Sequence, residues 1–420
     1  MNDERMQRGL VIAATSKLTH KGSAWLVPSQ TGNGKKYTVC PDVENPHCTC
    51  LDHETRGLKC KHIFAVEITM KREEGKDGSA TVTQTVTITE TVAKRKTYPQ
   101  KWEAYNEAQT HEKEHFLDLL HDLCKGIQEP PQSKGRPRLS MADSVFACCF
   151  KIFSTFSGRR FMSDLRDAHA KGFIDKVPHF NSIFNYLENP SLTPILKAMI
   201  VESSRALSAV EVDFAGDSTG FSVSRFLRWF DMKYGVVREK KEWVKVHLTC
   251  GVKTNIVTAV VIEDKNAADS PQLPEMVKTT AQNFKMREYS ADKAYGSVSN
   301  YEALMDVGAM PFIAFKSNHT GAAGGLWEKM FHYFSFRKED FLSHYHKRSN
   351  IESTNSMIKA KFRDNVRSKG GVAMKNEVLA KIVCHNICCI IQEMHELGIE
   401  PEFWAKGKEE GKDVLPMIPA

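Results

Sequence analysis

Between residues 209 and 362 the hydrophobic pattern runs strand, strand, strand, helix, strand, helix, strand, helix. That order prescribes a mixed α/β sheet flanked by helices. Val210 to Asp217 reads as a strand leading into Ser218-Thr219-Gly220. Trp243 to Cys250 alternates, with Val244, Val246 and Leu248 on one face. Lys253-Thr254-Asn255 turns the chain, and Ile256 to Ile262 returns as an apolar strand. Ser270-Pro271 opens a helix to about Gln282, since proline suits a first helical turn. Arg287 to Ala291 is a short strand ending at Asp292, Val298 to Val307 a helix, and Pro311 to Phe315 a strand.

The last helix of the series carries the densest chemistry. Tyr345 to Lys359 contains no Pro or Gly and is expected to form one continuous helix. At about 100° per residue, Tyr345, Arg348, Glu352 and Lys359 fall within an arc of about 60°. Ile351, Ile358 and Phe362 form a separate apolar stripe suited to packing on a sheet. A charged stripe is usually a solvated face laced with ion pairs. It can equally be one wall of an active site, with the Glu holding a metal and the Arg, Lys and Tyr holding a phosphodiester backbone. The helix alone leaves both open.

The spacing of Tyr345, Arg348, Glu352 and Lys359 resembles the signature of DDE transposases of bacterial insertion sequences. Asp217-Ser-Thr-Gly resembles the first block of that family, and Asp292-Lys-Ala-Tyr295 resembles its second. The resemblance implies a ribonuclease-H-like domain in which Asp217, Asp292 and Glu352 are the catalytic acids and ligands of Mg²⁺ (or Mn²⁺). It implies DNA cleavage and strand transfer at element ends, double-stranded DNA as partner, and a homodimer in the synaptic complex. Two ions can activate a nucleophile and stabilise a leaving oxygen, and hard cations of this kind favour carboxylate oxygens. Asp213 shares strand parity with Asp217; Asp217 is preferred because it directly precedes Ser-Thr-Gly. His247 reads as a satisfied sheet histidine. Tyr345, Arg348 and Lys359, with Lys361 and Arg363 from the basic run that continues through Arg367 and Lys369, are candidates for DNA phosphate contacts. A non-catalytic DNA-binding protein and a non-joining nuclease of the same fold are the alternatives. Three clustered acids beside DNA would serve no purpose in the former.

Near the N-terminus, Cys48-Thr-Cys50 and Cys60-Lys-His62 stand nine residues apart. Three thiolates and one imidazole satisfy tetrahedral Zn²⁺ with no open position, which makes the site structural. The pattern resembles the SWIM zinc finger. Tyr37 to Val39 is expected as a strand, and Ile63 to Met70 as a helix beginning at the last ligand. Cys40, His47 and His53 are nearby substitutes for a ligand.

These readings divide the chain into a zinc module (1–70), a linker and helix (71–135), a helical region (136–207), the catalytic domain (208–368) and a C-terminal helical region (369–420). Thr81 to Val92 alternates as a strand would, and Glu112 to Ile127 has a helical stripe of Phe116, Leu119, Leu120 and Leu123. Lys134-Gly-Arg-Pro-Arg138 is a basic hinge or a minor-groove insert, the hinge being preferred. Helices over Ser140–Phe156, Phe161–Ala170, Asn181–Glu188 and Thr193–Leu207 suit a helix-turn-helix reader or a helical cap. Asn376 to Leu397, with Cys384, His385, Cys388 and Cys389, reads as a buried apolar helix. A chain of 420 residues, 41% hydrophobic, can bury several cores. Eleven cysteines without a signal-peptide pattern point to reduced thiols and a cytoplasmic, nucleoid-associated protein. No apolar run approaches a membrane span, and the net charge of +7 permits nucleic-acid binding.

Overall fold

A computed structural model describes residues 2–30, 34–42, 44–74, 101–129, 131, 138–223, 243–263 and 266–404. The expected strand over Thr81–Val92 and the Gly135-Arg136-Pro137 hinge lie outside them. The chain forms two compact units, Met1–Tyr98 and Pro99–Ala420.

In the first unit, α1 (Asn2–Thr15) precedes an antiparallel sheet of β1 (Thr19–Lys21), β2 (Ala24–Pro28), β3 (Lys36–Cys40) and β4 (His47–Cys48). Two helices follow, α2 (Leu51–Arg56) and α3 (Lys61–Glu74). The expected strand and last helix are present as β3 and α3. A core of Ile12, Trp25, Val27, Val39, Ile63 and Val66 closes over Cys48, Cys50 and Cys60. Gly9 permits the close approach of α1 to α3, because a Cβ there would stand 2.6 Å from that of Phe64.

The second unit begins with the helices α4 (Trp102–Thr110), α5 (Glu112–Cys124), α6 (Met141–Ser154), α7 (Gly158–Ala170), α8 (Phe180–Leu187) and α9 (Leu192–Arg205). Ser140 caps α6 by accepting from the Asp143 N–H at 3.0 Å. The Asp143 carboxylate does not reach back to complete a capping box; it accepts instead from Asp175 N at 2.9 Å. The sheet strands are β5 (Asp213–Ser222), β6 (Trp243–Gly251), β7 (Val257–Glu263), β8 (Glu288–Ala291) and β9 (Met310–Ile313). Their spatial order is β7-β6-β5-β8-β9. β5, β6 and β7 pair antiparallel, while β5, β8 and β9 pair parallel, so the sheet is mixed.

Helices α10 (Leu273–Ala281) and α11 (Val298–Asp306) cover one face, with α12 (Gly325–Phe336) and α13 (Lys338–Tyr345). The other face packs on α9, on α14 (Ser349–Phe362) and on the long α15 (Gly371–Leu397). The N-terminal helices share that second core: Phe116, Phe146, Leu196, Val246, Leu248, Ile358 and Ile387 all belong to it. The thiols of α15 are packed as expected, with Cys384 Sγ 3.3 Å from the Cys149 carbonyl and the His385 ring on the Asn255 carbonyl.

Three expectations need correction. The run Tyr345–Lys359 is not one helix: α13 ends at Tyr345, His346–Arg348 form a 3₁₀ turn, and α14 follows. Lys347 in that turn is drawn onto Asp213 and Glu288 of the sheet, and the tighter turn accommodates this anchoring. Asp217 does not end its strand. β5 continues to Ser222 because β6 pairs with it along its whole length, Asp217 opposite Leu248 and Ser222 opposite Trp243. Finally, two helices, α12 and α13, stand between β9 and α14.

β7 is an edge strand, and α15 closes its first rung. Asn386 is fully buried; its amide oxygen accepts from Val257 N at 2.9 Å and its NH₂ donates to the Val257 carbonyl at 2.8 Å. The same NH₂ reaches Ile200 O and Ser203 Oγ of α9. Such pairing satisfies an open strand edge. Asn386→Leu, of similar volume, should therefore lower stability by about 3 kcal/mol through stranded backbone groups. Urea unfolding of the variant measures this, and an unchanged midpoint would mean that the edge does not depend on Asn386.

Candidate active site and metal centre

The parallel pairing of β5 with β8 stops at Gly216 opposite Ala291. Asp217 and Asp292 are the next residues on these neighbouring strands, so the register itself sets the two carboxylates side by side. Asp217 shares its sheet face with Ala215 and Phe221, the face covered by α14. Gly216 points to the opposite face, where a Cβ would collide with the Tyr289 hydroxyl. Beyond Asp292 the chain enters a 3₁₀ turn over Lys293–Tyr295, and the Asp292 carboxylate caps it by accepting from Lys293 N at 2.8 Å.

Glu352 lies in the first turn of α14, half-exposed, and its carboxylate meets Arg348 at 2.7 Å. The 3₁₀ turn eclipses residues three apart, so the Arg348 guanidinium lies 5.8 Å from the centre of the Tyr345 ring. Burial raises the Asp217 carboxyl above its ordinary range. Asp292 and Glu352 raise it further, while the Ser218 N–H and Arg348 oppose the rise. Burial also raises the Tyr345 phenol, with Asp292 and Glu352 adding to it. Burial alone would depress Arg348, but Tyr345, Glu352, Asp217 and Asp292 outweigh it and hold the guanidinium charged. Three acids, one guanidinium and one phenol therefore share one field.

Lys359 lies farther along the same face. Its ammonium donates to Thr219 Oγ1 at 2.6 Å, two residues beyond Asp217 on β5. Lys361 and Arg363 are not brought to the acids. Lys361 is turned about 200° from Lys359 and pairs with Glu112 of α5. Arg363 donates to the Thr155 carbonyl at 3.4 Å. Asp213 is occupied elsewhere: Arg287 donates to both of its oxygens at 2.8 and 2.7 Å, and Lys347 lies 2.8 Å away. Burial pushes Asp213 up, but these cations hold it below the usual carboxylate range. Lys347 was not singled out in the sequence; its only signal is its position inside the Tyr345–Arg348 spacing.

His247 is fully buried on β6 and hydrogen-bonded through Nδ1 with the Tyr295 hydroxyl at 3.0 Å. Its Nε2 has no hydrogen bond among the described residues. Burial holds its pKa down and the ring neutral.

Residues 209–387 match the transposase DDE domain family. The matched segment runs from just before β5 into α15 and contains Asp217, Asp292 and Glu352. It supports a transposase, a DNA-processing enzyme, as the protein's class. No curated protein matches the chain. Among the described residues, no helix is long and apolar enough to cross a membrane.

In the first unit, Cys48, Cys50, Cys60 and His62 are all buried, and their ligand atoms lie within 4.8 Å of one another. His62 Nδ1 is 3.8 Å from Cys48 Sγ and 3.9 Å from Cys60 Sγ. These are near the edges of a tetrahedron around an ion with Zn–S of about 2.3 Å and Zn–N of about 2.0 Å. A hydrogen bond with Cys48 pulls the Cys60 thiol down, while the same bond and burial raise Cys48. Cys40 is exposed, and Cys40, His47 and His53 stay outside the group. The three acids of the second unit do not converge this tightly.

Arg348 is the cation that opposes the rise of Asp217, so Arg348→Leu should move the Asp217 titration to higher pH. Carboxyl-carbon NMR titration of the metal-free protein reads this directly. An unmoved Asp217 would show that the two groups do not share a field.

Proposed function

We propose that the protein is a DNA transposase whose second unit carries a ribonuclease-H-like catalytic domain. The strand order, with two antiparallel and two parallel neighbouring pairs, supports that fold. The observation that carries the activity is the register-enforced pairing of Asp217 with Asp292 beneath Glu352, inside the matched segment. The donor set fits Mg²⁺ or Mn²⁺: burial and the nearby Asp292 and Glu352 raise the Asp217 carboxyl, and oxygen ligands suit hard cations. When bound, such ions supply an activated nucleophile and a stabilised leaving oxygen for in-line displacement at phosphorus.

The chain's own residues then have separable roles. Asp217 and Asp292 hold fixed positions on adjacent strands, and Glu352 faces them from α14. Arg348 opposes part of the rise of the Asp217 carboxyl and is placed to meet a DNA phosphate, and Tyr345 buttresses the guanidinium. Lys359 meets the backbone farther along α14. Element-end cleavage and joining of the freed 3′-hydroxyl, performed by a synaptic homodimer, is the reaction that this set supports. The Cys48, Cys50, Cys60 and His62 cluster holds structural Zn²⁺ and leaves the first unit to bind DNA or protein, since all four ligands are internal.

Asp217→Asn, Asp292→Asn and Glu352→Gln should each abolish metal-dependent cleavage and joining of a plasmid that carries the coding region with its natural flanks. Folding and end binding should persist. Full activity in all three variants would refute the mechanism, and cleavage without joining in the wild type would favour a nuclease.

The full-length chain should bind one Zn²⁺, and Cys60→Ser should lose it. Because metal binding is folding energy in such modules, the variant's first unit should become protease-sensitive while Pro99–Ala420 stays resistant. A metal-free, protease-resistant first unit in the wild type would exclude the zinc reading.

A further inference from the structure

A cavity of about 260 Å³ lies between the end of α6, the start of α7 and the segment that follows α14. Lys151, in the last turn of α6, lines it with Ser157, Gly158, Arg367, Ser368 and Glu377. Lys151 is only 6% exposed. Its ammonium makes no hydrogen bond or ion pair with any described residue. The side chain is buried along its length while its charge serves the cavity it lines, and a charge so placed is normally paired.

The surroundings point to an anion. The N-terminus of α7 opens on the cavity at Gly158, and Ser157 makes no side-chain cap, so the first N–H groups of the helix are unclaimed. Arg367 lines the same cavity; one of its nitrogens donates to the Thr155 and Phe156 carbonyls at 3.0 and 3.2 Å. The acid present, Glu377, is already spent. It accepts from Arg367 N at 3.0 Å and Ser368 N at 2.8 Å, and Lys381 stands 3.6 Å away. Positive charge is in excess around the cavity: burial together with Arg367 and Arg363 pulls the Lys151 ammonium down to about 8, although Glu377 opposes them.

We infer that this cavity is a binding site for a phosphate group, held by the Lys151 ammonium, the Arg367 guanidinium and the backbone N–H groups that open α7, and that the phosphate belongs to a DNA backbone. Arg159 and Arg160 in the first turn of α7 extend the basic surface along such a strand. The choice of DNA as the source rests on the transposase reading; the anion site itself does not.

The test uses the full chain in metal-free buffer, so that cleavage does not enter. Inorganic phosphate should raise the melting midpoint of the wild type above that in chloride of equal ionic strength, by mass action. It should not do so in Lys151→Gln. For a short duplex, the slope of log K against log salt should be shallower by about 0.9 in Lys151→Gln and unchanged in Lys151→Arg. Loss of the phosphate effect with an unchanged duplex slope, or with no duplex binding at all, would overturn DNA as the source and leave a free-phosphate site. No phosphate effect and no slope change would overturn the site. Amine labelling of wild-type Lys151, read by mass spectrometry, covers the case in which Lys151→Gln fails to fold. Protection by phosphate and by duplex is expected, and equal labelling throughout would refute the proposal. Failure of the acid variants would leave these results standing, and failure here would leave the acids untouched.

Discussion

Lys347 bridges the first rung of the parallel pair at the heart of the sheet. Asp213 and Glu288 are register partners on β5 and β8, and the ammonium lies 2.8 Å from one and 2.6 Å from the other. His344 adds a contact to Glu288 at 3.0 Å, and Arg287 one to Asp213. Two acids that would repel each other are thereby neutralised, and the 3₁₀ turn that carries Lys347 is fixed to the sheet. Four residues along β5, roughly 13 Å away at strand spacing, the same pair of strands presents Asp217 and Asp292. The two ends of one ladder thus receive opposite treatment: the lower acids are given cations by the chain, while the upper acids are left mostly to each other. Anchoring the turn at one end also positions Tyr345, Arg348 and Glu352 over the other.

Much of this was legible because burial imposes a period. Ile256 to Ile262 had to be a buried strand, and the Phe116, Leu119, Leu120 and Leu123 stripe had to face a core. The spacing of Arg348 and Glu352 survives because an i,i+4 pair meets on any α-helix. What escaped reading depends on distant partners. The 3₁₀ turn answers to acids 134 and 59 residues away in sequence. β5 runs past Asp217 only because β6 remains beside it. α1 is polar along much of its length and carries Gly9 mid-helix, so propensity argues against it, and only its packing on α3 explains it. The basic run after Lys359 was read as one patch, although residues two apart on a helix face nearly opposite ways.

The two candidate metal centres show how donor chemistry dictates geometry. The Cys48, Cys50, Cys60 and His62 cluster is closed and buried, as a tetrahedral thiolate site requires. The acids are spread more widely, and Glu352 stays half-exposed with Arg348 across its carboxylate. An oxygen site that must also admit a phosphodiester cannot be closed in the same manner, because ions of this class keep waters and substrate among their ligands. The raised proton affinity of Asp217 comes first from burial and then from Asp292 and Glu352 nearby, with Arg348 offsetting only part of it.

The buried lysines near α15 sharpen the contrast between structural and unclaimed charge. Lys381 is 2% exposed, yet it donates to Asn365 O at 2.7 Å and Arg363 O at 3.3 Å and has Glu377 beside it. It ties the segment after α14 to α15, which sets where Arg363 and Arg367 stand. Lys151 is 6% exposed and its ammonium makes no hydrogen bond or ion pair with a described residue; Glu377 acts on it only through its field. Burial is the largest cause that depresses both ammonium groups, so desolvation does not distinguish them; the acceptors do. The segment that Lys381 fixes is the one that brings Arg367 to Lys151, so one lysine is satisfied in a way that leaves the other waiting for an anion.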